Sequence, residues 1–240
     1  MPSEARSFLT ARWVHLVMAN YEVEPSVLRP LVPKGTTLDF WSGRCFVSVV
    51  GFQFLDTRVL GVAVPFHRNF DEVNLRFYVQ RTTSHELRRG VVFVKEVVPR
   101  RAIAAIANTL YNEKYVALPM SHDDRLEAPE RTIRYGWQHG ATTCHLACTL
   151  DGPKYLPDDN TAESFISEHY WGYTAQRDGS TLEYRVEHPR WHVWQTKDAE
   201  LVCDVAPQYG AEFAPFLVQQ PASCFVADGS AVTVRRGVSL

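Results

Sequence analysis

The stretch NFDEVNLRFYVQR at residues 69–81 alternates apolar and polar side chains with a period of two, which is the pattern of a β-strand. One face carries only apolar side chains, those of Val73, Leu75, Phe77 and Val79. The opposite face is polar and carries Glu72, Asn74, Arg76, Tyr78 and Gln80. The apolar face is predicted to lie in the protein core. The polar face faces either bulk water or an enclosed cavity.

The strand that precedes this stretch supports the interpretation that the polar face lines a cavity. Residues 44–54, RCFVSVVGFQF, are apolar on both faces, as expected for a strand that is covered on both sides. A fully solvated face on the next strand would be unusual in that setting. The sequence therefore predicts that the polar row lines a cavity. A solvent face whose charges pair with a neighbouring strand is the alternative.

Further strands are predicted at 10–21, in VVFVKEVV at 91–98, and in four segments of the second half: RTIRYGW, ATTCHLACTL, TLEYRVEH and SCFVADGSAVTVRR. The last segment is predicted to be a hairpin that turns at Asp228-Gly229. PRRAIAAIANTLYNE has the apolar spacing of a helix, and NTAESFISEHYW is predicted to be a helix with Asn160 and Glu163 as a capping box. A short helix is expected near Pro25.

These elements predict an α+β protein with a mainly antiparallel, closed or nearly closed sheet and two or three helices. Residues 1–240 are expected to form a single domain. In the strand at 91–98, strict alternation places Lys95 on the face of Phe93 and Val97, and Glu96 on the opposite face.

Composition excludes several classes of function. The net charge of −2 and the absence of long basic runs argue against nucleic acid as a partner. The apolar stretch near Trp13 is too short to span a bilayer and lacks a cleavage site, so no membrane association and a cytoplasmic location are expected. Five scattered cysteines suit free thiols. No phosphate-binding glycine loop or GxSxG motif occurs, and Pro189 between His188 and His192 disfavours a zinc site, so neither cofactor nor metal is expected.

Lysine is scarce, which makes each lysine worth considering as an amine nucleophile. Lys114 lies in YNEKY, beside Glu113 and between Tyr111 and Tyr115. An amine held beside aromatic rings loses hydration and becomes a better nucleophile toward a carbonyl. An exposed lysine after a helix is the simpler interpretation.

Several longer segments resemble the YqjF-like family of bacterial proteins, a domain of unknown function. They are LRPLVPKGTTLDFWSGRCFVSVVGF, FDEVNLRFYV, RRGVVFVKEVVPRRAIA, LYNEKYVALPM, EHYWGYT and VEHPRWHVW. The resemblance covers nearly the whole chain. It implies a fold similar to acetoacetate decarboxylase, with a β-sheet that closes around a central cavity, and it brings no established activity.

The decarboxylase relatives carry an acidic cluster on a strand and a lysine, after a helix, that forms a Schiff base with a β-keto acid. The resemblance places Glu72 near the acidic cluster. Two alignments of the lysine are open. Matching the helices without a gap puts Lys114 at the nucleophile position, whereas matching a Pro-Lys pair to Pro119-Met120 replaces the nucleophile with methionine.

We therefore expect a small-molecule-binding protein. In one version of this hypothesis the protein is an enzyme that acts on a small carbonyl or carboxylate compound. In that form Lys114 is the amine, Glu72 and Glu113 transfer protons, and Arg76 with Asn74 orients a carboxylate. The alternative is a non-catalytic ligand-binding or sensing protein that uses the same cavity. The expected cavity walls are the aromatic residues Trp13, Tyr78, Tyr111, Tyr115 and Trp191. A structural or homo-oligomerisation module is a third interpretation.

Overall fold

A computed structural model of the chain describes residues 7–63, 68–99 and 114–240. The helix predicted from PRRAIAAIANTLYNE lies outside the described residues, apart from Pro99. The described strands are β1 Ser7–Val23, β2 Thr37–Leu38, β3 Cys45–Val59, β4 Val62–Ala63, β5 Phe70–Thr82, β6 Leu87–Val98, β7 Tyr115–Ala117, β8 Met120–Asp124, β9 Thr132–His139, β10 Thr142–Tyr155, β11 Trp171–Ala175, β12 Thr181–Glu187, β13 Val193–Val202, β14 Ser223–Arg235 and β15 Val238–Ser239.

Four short helices accompany these strands in the described residues. They are α1 Pro25–Leu28, α2 Ala162–Ser167, α3 Val205–Tyr209 and α4 Ala214–Leu217. A 3-10 turn at Arg29–Leu31 follows α1. The start of α2 differs from the prediction: Thr161 is the N-cap and its hydroxyl accepts the backbone N–H of Ser164, while Asn160 adopts a positive φ of 65° one residue earlier. No described helix has the length and apolar character needed to cross a membrane.

Seven strands close into a ring in the order β12, β11, β6, β5, β3, β1, β14 and back to β12. The ring closes where Val186 and Glu187 of β12 pair with Val234 and Thr233 of β14. Neighbouring strands of the ring are antiparallel except β6 and β11, which are parallel. The structure thus confirms the predicted mainly antiparallel, nearly closed sheet with a few short helices.

A second layer branches from the ring at β14, whose first half also pairs with β13. From β13 the sheet continues through β10 and β9 to β8. This layer covers the outer face of the ring, because the ring of Tyr135 on β9 packs directly against Gly51 of β3. The fold therefore has two interiors, which we call the inter-sheet core, between the ring and the second layer, and the ring interior.

Two residues with positive φ bend the ring at one place. His15 on β1 has a φ of 53°, and Gly229 on β14, next to it across the sheet, has a φ of 82°. Ala11 lies in the ring interior before this point, and Leu16 lies there after it, so the residues that face inward change from odd to even numbers. A Cβ atom at position 229 would lie 2.0 Å from the Trp13 carbonyl oxygen, so glycine is required.

The prediction of a hairpin at Asp228-Gly229 is therefore wrong. Residues Ser223–Arg235 form one continuous strand that pairs with β1 along most of its length. The Asp-Gly pair that signals a two-residue turn in a hairpin here accommodates the bend. Local sequence does not distinguish these two uses of a glycine with positive φ.

The faces of β6 also differ from strict alternation. Leu75 of β5 pairs with Lys95 and the next residue, Arg76, pairs with Phe93, so the register shifts by one residue at Val94. Phe93 and Glu96 consequently lie on the same side, in the ring interior, whereas Lys95 lies on the opposite side. The predicted pairing of Lys95 with Phe93 on one face is wrong because this β-bulge reverses the alternation.

Candidate functional site

The ring interior contains a cavity of about 170 Å³. Aromatic side chains form much of its wall, and they include Trp13, Phe52, Phe54, Phe70, Phe93 and Trp191. Their packing is mutual: Trp13 makes edge contacts with Phe52 and Phe54 at centroid distances of 5.2 and 5.6 Å. An apolar cavity of this kind is the usual setting for a small-molecule site when a few polar groups converge in it.

The polar row of β5 supplies three of those groups. Glu72, Asn74 and Arg76 all line the cavity, and Glu72 and Asn74 are only 2% and 1% exposed. Asn74 Nδ2 donates a hydrogen bond of 2.9 Å to Glu72 Oε1. Asn74 Oδ1 is buried with no hydrogen-bond partner among the described residues, so the amide has an acceptor left over for a ligand. The polar row faces the cavity rather than bulk water.

Two carboxyl groups and a phenol lie at the acidic end of the cavity. The Tyr115 hydroxyl donates to Glu72 Oε2 at 3.2 Å. Glu96, 1% exposed, is paired in register with Asn74 on the neighbouring strand and also lines the cavity. Carboxyl and phenol groups transfer protons in enzymes when they are held within reach of a reacting group. This end of the cavity is thus equipped for proton exchange with a ligand.

Arg76 forms the cationic end. Its Cζ lies 5.8 Å from the centroid of the Tyr78 ring, and its Nη2 lies 3.9 Å from Met18 Sδ. No carboxylate of the described residues lies within ion-pair distance of the guanidinium, and Arg76 Nε is buried there without a partner. A partly buried guanidinium without a counter-ion favours an anion, and a carboxylate matches its geometry with two parallel hydrogen bonds.

Two histidines line the cavity and do not compete with Arg76 for an anion. Burial lowers the pKa of His169 to about 4 and that of His188 to about 4, and the charge of Arg76 acts in the same direction on both. Both rings are therefore neutral at neutral pH. His188 stacks on Trp191 at a centroid distance of 3.9 Å, which fixes this part of the wall.

The predicted site residues fall into three groups. Trp13, Tyr115 and Trp191 line the cavity together with the β5 row. Tyr78 is buried behind the wall, where its hydroxyl lies 2.6 Å from Ser48 Oγ, and its ring supports Arg76. Tyr111 and Glu113 lie outside the described residues.

Lys114 is exposed, and its carbonyl oxygen accepts the backbone N–H of Glu96 at 3.2 Å. Lys95 donates to the carbonyl oxygen of Gln208 on the other side of β6. All five lysines of the chain are described, and none of their side chains lines the cavity. The described part of the chain also contains no group of three or more His, Cys, Asp or Glu side chains arranged to hold a metal ion.

Sequence reasoning missed Glu96, His169 and His188 as cavity residues. Glu96 stood out as a charge on an apolar strand, which was a usable signal, because a buried charge requires a reason. His169 follows α2 in a segment whose apolar spacing resembles a helix. That spacing gives no indication that the residue lines a cavity. The pairing of β11 with β6, which brings His169 to the cavity, joins residues far apart in the sequence.

Comparisons with known proteins agree with this architecture. The family model DUF2071, described as "Uncharacterized conserved protein", matches residues 10–231. The uncharacterized protein YqjF of Bacillus subtilis (strain 168) is 25% identical over 189 residues, which cover 78% of this chain and 74% of that protein.

Two solved structures show the same fold. The enduracididine biosynthesis enzyme MppR in complex with pyruvate superimposes with a TM-score of 0.66 at 11% identity, covering 98% of this chain and 90% of MppR. The acetoacetate decarboxylase of Legionella pneumophila gives a TM-score of 0.66 at 12% identity, covering 100% of this chain and 92% of that enzyme. At these identities the likeness establishes the fold, which is acetoacetate decarboxylase-like, as the resemblance in the sequence implied.

Proposed function

The chain belongs to the DUF2071 family, and from the geometry of its cavity we propose that it is a small-molecule-binding protein whose ligand is a small carboxylate compound. The observation that carries the proposal is Arg76. Its guanidinium lines an apolar cavity without a carboxylate partner among the described residues. An anionic ligand supplies the counter-charge that the described surroundings do not.

The size of the cavity sets the size of the ligand. An engineered protein cavity of about 150 Å³ holds one benzene molecule, so a cavity of about 170 Å³ has room for a carboxylate of a few carbon atoms. The pyruvate complex of MppR is a precedent for a small carboxylate in this fold. The largely apolar walls lower the local dielectric constant, which strengthens the attraction between the guanidinium and the carboxylate.

The enzymatic form of the proposal uses the acidic end of the cavity. Glu72, Glu96 and Tyr115 are candidates for proton transfer to or from a ligand whose carboxylate is bound at Arg76. Asn74 connects the two ends, because its Nδ2 is bonded to Glu72 and its Oδ1 is available to the ligand. The alternative is a binding or sensing protein without turnover, in which the same groups only orient the ligand.

Ligand-induced stabilisation tests the carboxylate site, because a compound that binds only the native state raises the melting temperature. A panel of small carboxylates and their methyl esters is screened by thermal unfolding. At least one carboxylate is expected to raise the melting temperature, its ester is not, and Arg76→Ala abolishes the shift. The matched control is Arg134→Ala, which removes an exposed arginine from β9 and leaves the shift intact. An equal response in wild type and Arg76→Ala would refute the assigned site.

A covalent route through Lys114 and Glu113 is the second candidate. It is favoured by the hydrogen bond between the Lys114 carbonyl and Glu96, which brings the backbone of Lys114 beside the acidic end. Borohydride reduction in the presence of β-keto acids, followed by peptide mapping, separates the two candidates. Because the Lys114 side chain is exposed, we expect no stable adduct on any lysine. An adduct confined to Lys114 would establish the covalent route.

A further inference from the structure

Asp39 and His169 form a buried pair at the edge of the cavity. His169 Nε2 lies 3.1 Å from Asp39 Oδ2, and the two side chains are 1% and 7% exposed. Three other histidine–carboxylate pairs occur in the described part of the chain, and each includes a side chain that is at least a third exposed: His15–Asp124, His122–Asp71 and His145–Glu200. Burial of both partners distinguishes the Asp39–His169 pair.

The surroundings of Asp39 fix which nitrogen of His169 carries the proton. Arg89 Nε donates to Asp39 Oδ2 at 2.7 Å, and these contacts lower the pKa of the carboxyl group, which is therefore ionised and can only accept. A neutral imidazole that bonds to an ionised carboxylate must donate to it. His169 Nε2 thus bears the hydrogen, and Nδ1 bears a lone pair.

His169 Nδ1 has no partner among the described residues, although the ring lines the cavity. A buried acceptor without a donor costs about 1–3 kcal/mol, so a ligand that supplies a donor recovers that cost. A carboxylate alone cannot supply one at neutral pH, because its oxygen atoms only accept. A hydrogen-bond donor on the ligand, in addition to its carboxylate, would satisfy Nδ1.

The imidazole is held in a fixed position relative to Arg76. Its ring centroid lies 4.7 Å from that of Tyr78 and 5.2 Å from that of Phe165. The same Tyr78 ring lies under Arg76, and the Tyr78 carbonyl accepts the backbone N–H of Asp39 at 3.0 Å. One residue of β5 thus supports both the cationic group and the acceptor.

We propose that the Asp39–His169 pair is a hydroxyl-binding subsite and that the cavity takes a small carboxylate bearing a hydroxyl group. Its carboxylate lies at Arg76 and its hydroxyl hydrogen is donated to His169 Nδ1. This assignment rests on the proposed function and narrows its ligand class. It disfavours the corresponding oxo acid, because a carbonyl oxygen would place its lone pairs against that of Nδ1.

Isothermal titration with matched ligand pairs tests the subsite. The pairs are lactate with propionate and 3-hydroxybutyrate with butyrate, together with pyruvate as the oxo acid. In at least one pair the hydroxylated member is expected to bind about tenfold more tightly, the size of one buried hydrogen bond. Pyruvate is expected to bind more weakly than lactate. Equal affinities within both pairs would overturn the assignment.

Two variants make the test specific. His169→Phe retains a ring of similar size and is expected to abolish the preference for the hydroxylated ligand while carboxylates still bind. His145→Phe removes a histidine from the second layer, outside the cavity, and is expected to preserve the preference. If His169→Phe leaves the preference unchanged, the hydroxyl group is bound elsewhere and the assignment fails.

A spectroscopic measurement on the wild-type protein covers the case in which His169→Phe does not fold. Nitrogen-15 spectra are expected to show His169 as the tautomer protonated at Nε2, with an Nδ1 signal that moves on addition of lactate and not of propionate. An Nδ1-protonated tautomer would overturn the subsite. If no carboxylate of the panel binds, the carboxylate site fails and the subsite with it. Binding that depends on Arg76 but ignores the hydroxyl group refutes the subsite alone.

Discussion

Strand β5 contributes one face to the inter-sheet core and the other to the ring interior, and its two faces can be compared directly. Val73, Leu75 and Phe77 are fully buried in the inter-sheet core. Glu72 and Asn74, which alternate with them, are almost as fully buried in the ring interior. The two faces of this strand are thus about equally buried, although one carries apolar side chains and the other carries polar ones.

The difference lies in what fills the space opposite each face. The inter-sheet core opposite this face is filled by side chains of the second layer, such as Tyr135 and Leu146. An unpaired polar group placed there would lose its hydration, which is costly. The ring interior retains a cavity that the polar groups line. Buried polar groups beside a cavity destabilise the protein less when a ligand satisfies them. Under the proposed function, the first face stabilises the fold and the second face binds the ligand.

The largest effect is expected in the inter-sheet core. Phe77→Ala should lower the free energy of unfolding by about 4 kcal/mol, since it removes a fully buried ring and leaves a cavity. Phe93→Ala in the ring interior should cost about half as much, because Phe93 is only partly buried and already borders the cavity. Urea unfolding of both variants measures the difference. Similar losses would mean that the two regions do not differ in packing.

Substitution of Gly229, at the bend in the ring, is expected to lower the free energy of unfolding almost as much. Gly229→Ala should cost about 3 kcal/mol, because alanine at this φ is strained and its Cβ atom would collide with the Trp13 carbonyl. Gly179→Ala is the matched control: its φ is also 82°, but nothing lies within 4 Å of the added atom. The control should lose about 1 kcal/mol. Equal losses in the two variants would show that the close approach to Trp13 does not contribute to the cost of the substitution.

Acidification is expected to lower the free energy of unfolding through His169 in the ring interior. The pKa of His169 is lowered to about 4 from 6.5, so the unfolded state binds its proton first as the pH falls. Stability is then complete above about pH 6.5 and declines between pH 6.5 and 4, with a loss of about 2 kcal/mol from this group at about pH 5. In urea titrations, His169→Phe should reduce the decline by that amount. An unchanged pH profile would contradict a neutral buried His169.

The smallest effect on stability is expected at the site itself. Arg76→Met should change the free energy of unfolding by less than about 1 kcal/mol, or raise it, because the wild-type guanidinium lines the cavity without a described counter-ion. Carboxylate binding should nevertheless be lost. Urea unfolding and calorimetry on the same preparation separate the two effects. A loss above about 2 kcal/mol would indicate that Arg76 has a structural role.

Much of the fold was accessible from local sequence because alternation reports which face of a strand is buried. The β5 pattern gave its two faces correctly, and the strands at 10–21, 44–54 and 91–98 all exist. Alternation does not report where a strand bulges. The register shift at Val94 and the bend at Gly229 depend on contacts with neighbouring strands, so Phe93 was wrongly placed on the face of Lys95 and β14 was divided into a hairpin.

The site was only partly predictable for a related reason. Glu72, Asn74 and Arg76 are spaced two apart on one strand, so a local pattern brings them together. Asp39 and His169 are 130 residues apart and meet because β2 pairs with β5 and β11 pairs with β6, and nothing near either residue indicates the other. Lys114 was proposed from its aromatic neighbours in the sequence, but its exposed side chain shows that sequence neighbours do not determine burial.

The most direct test of the central claim is a crystal structure of the protein grown with a small hydroxycarboxylate such as lactate. We expect the carboxylate inside the ring, with both oxygens in hydrogen-bond contact with the Arg76 guanidinium and the hydroxyl group at His169 Nδ1. A ring interior occupied only by water at saturating ligand, or a ligand bound away from Arg76, would contradict the account.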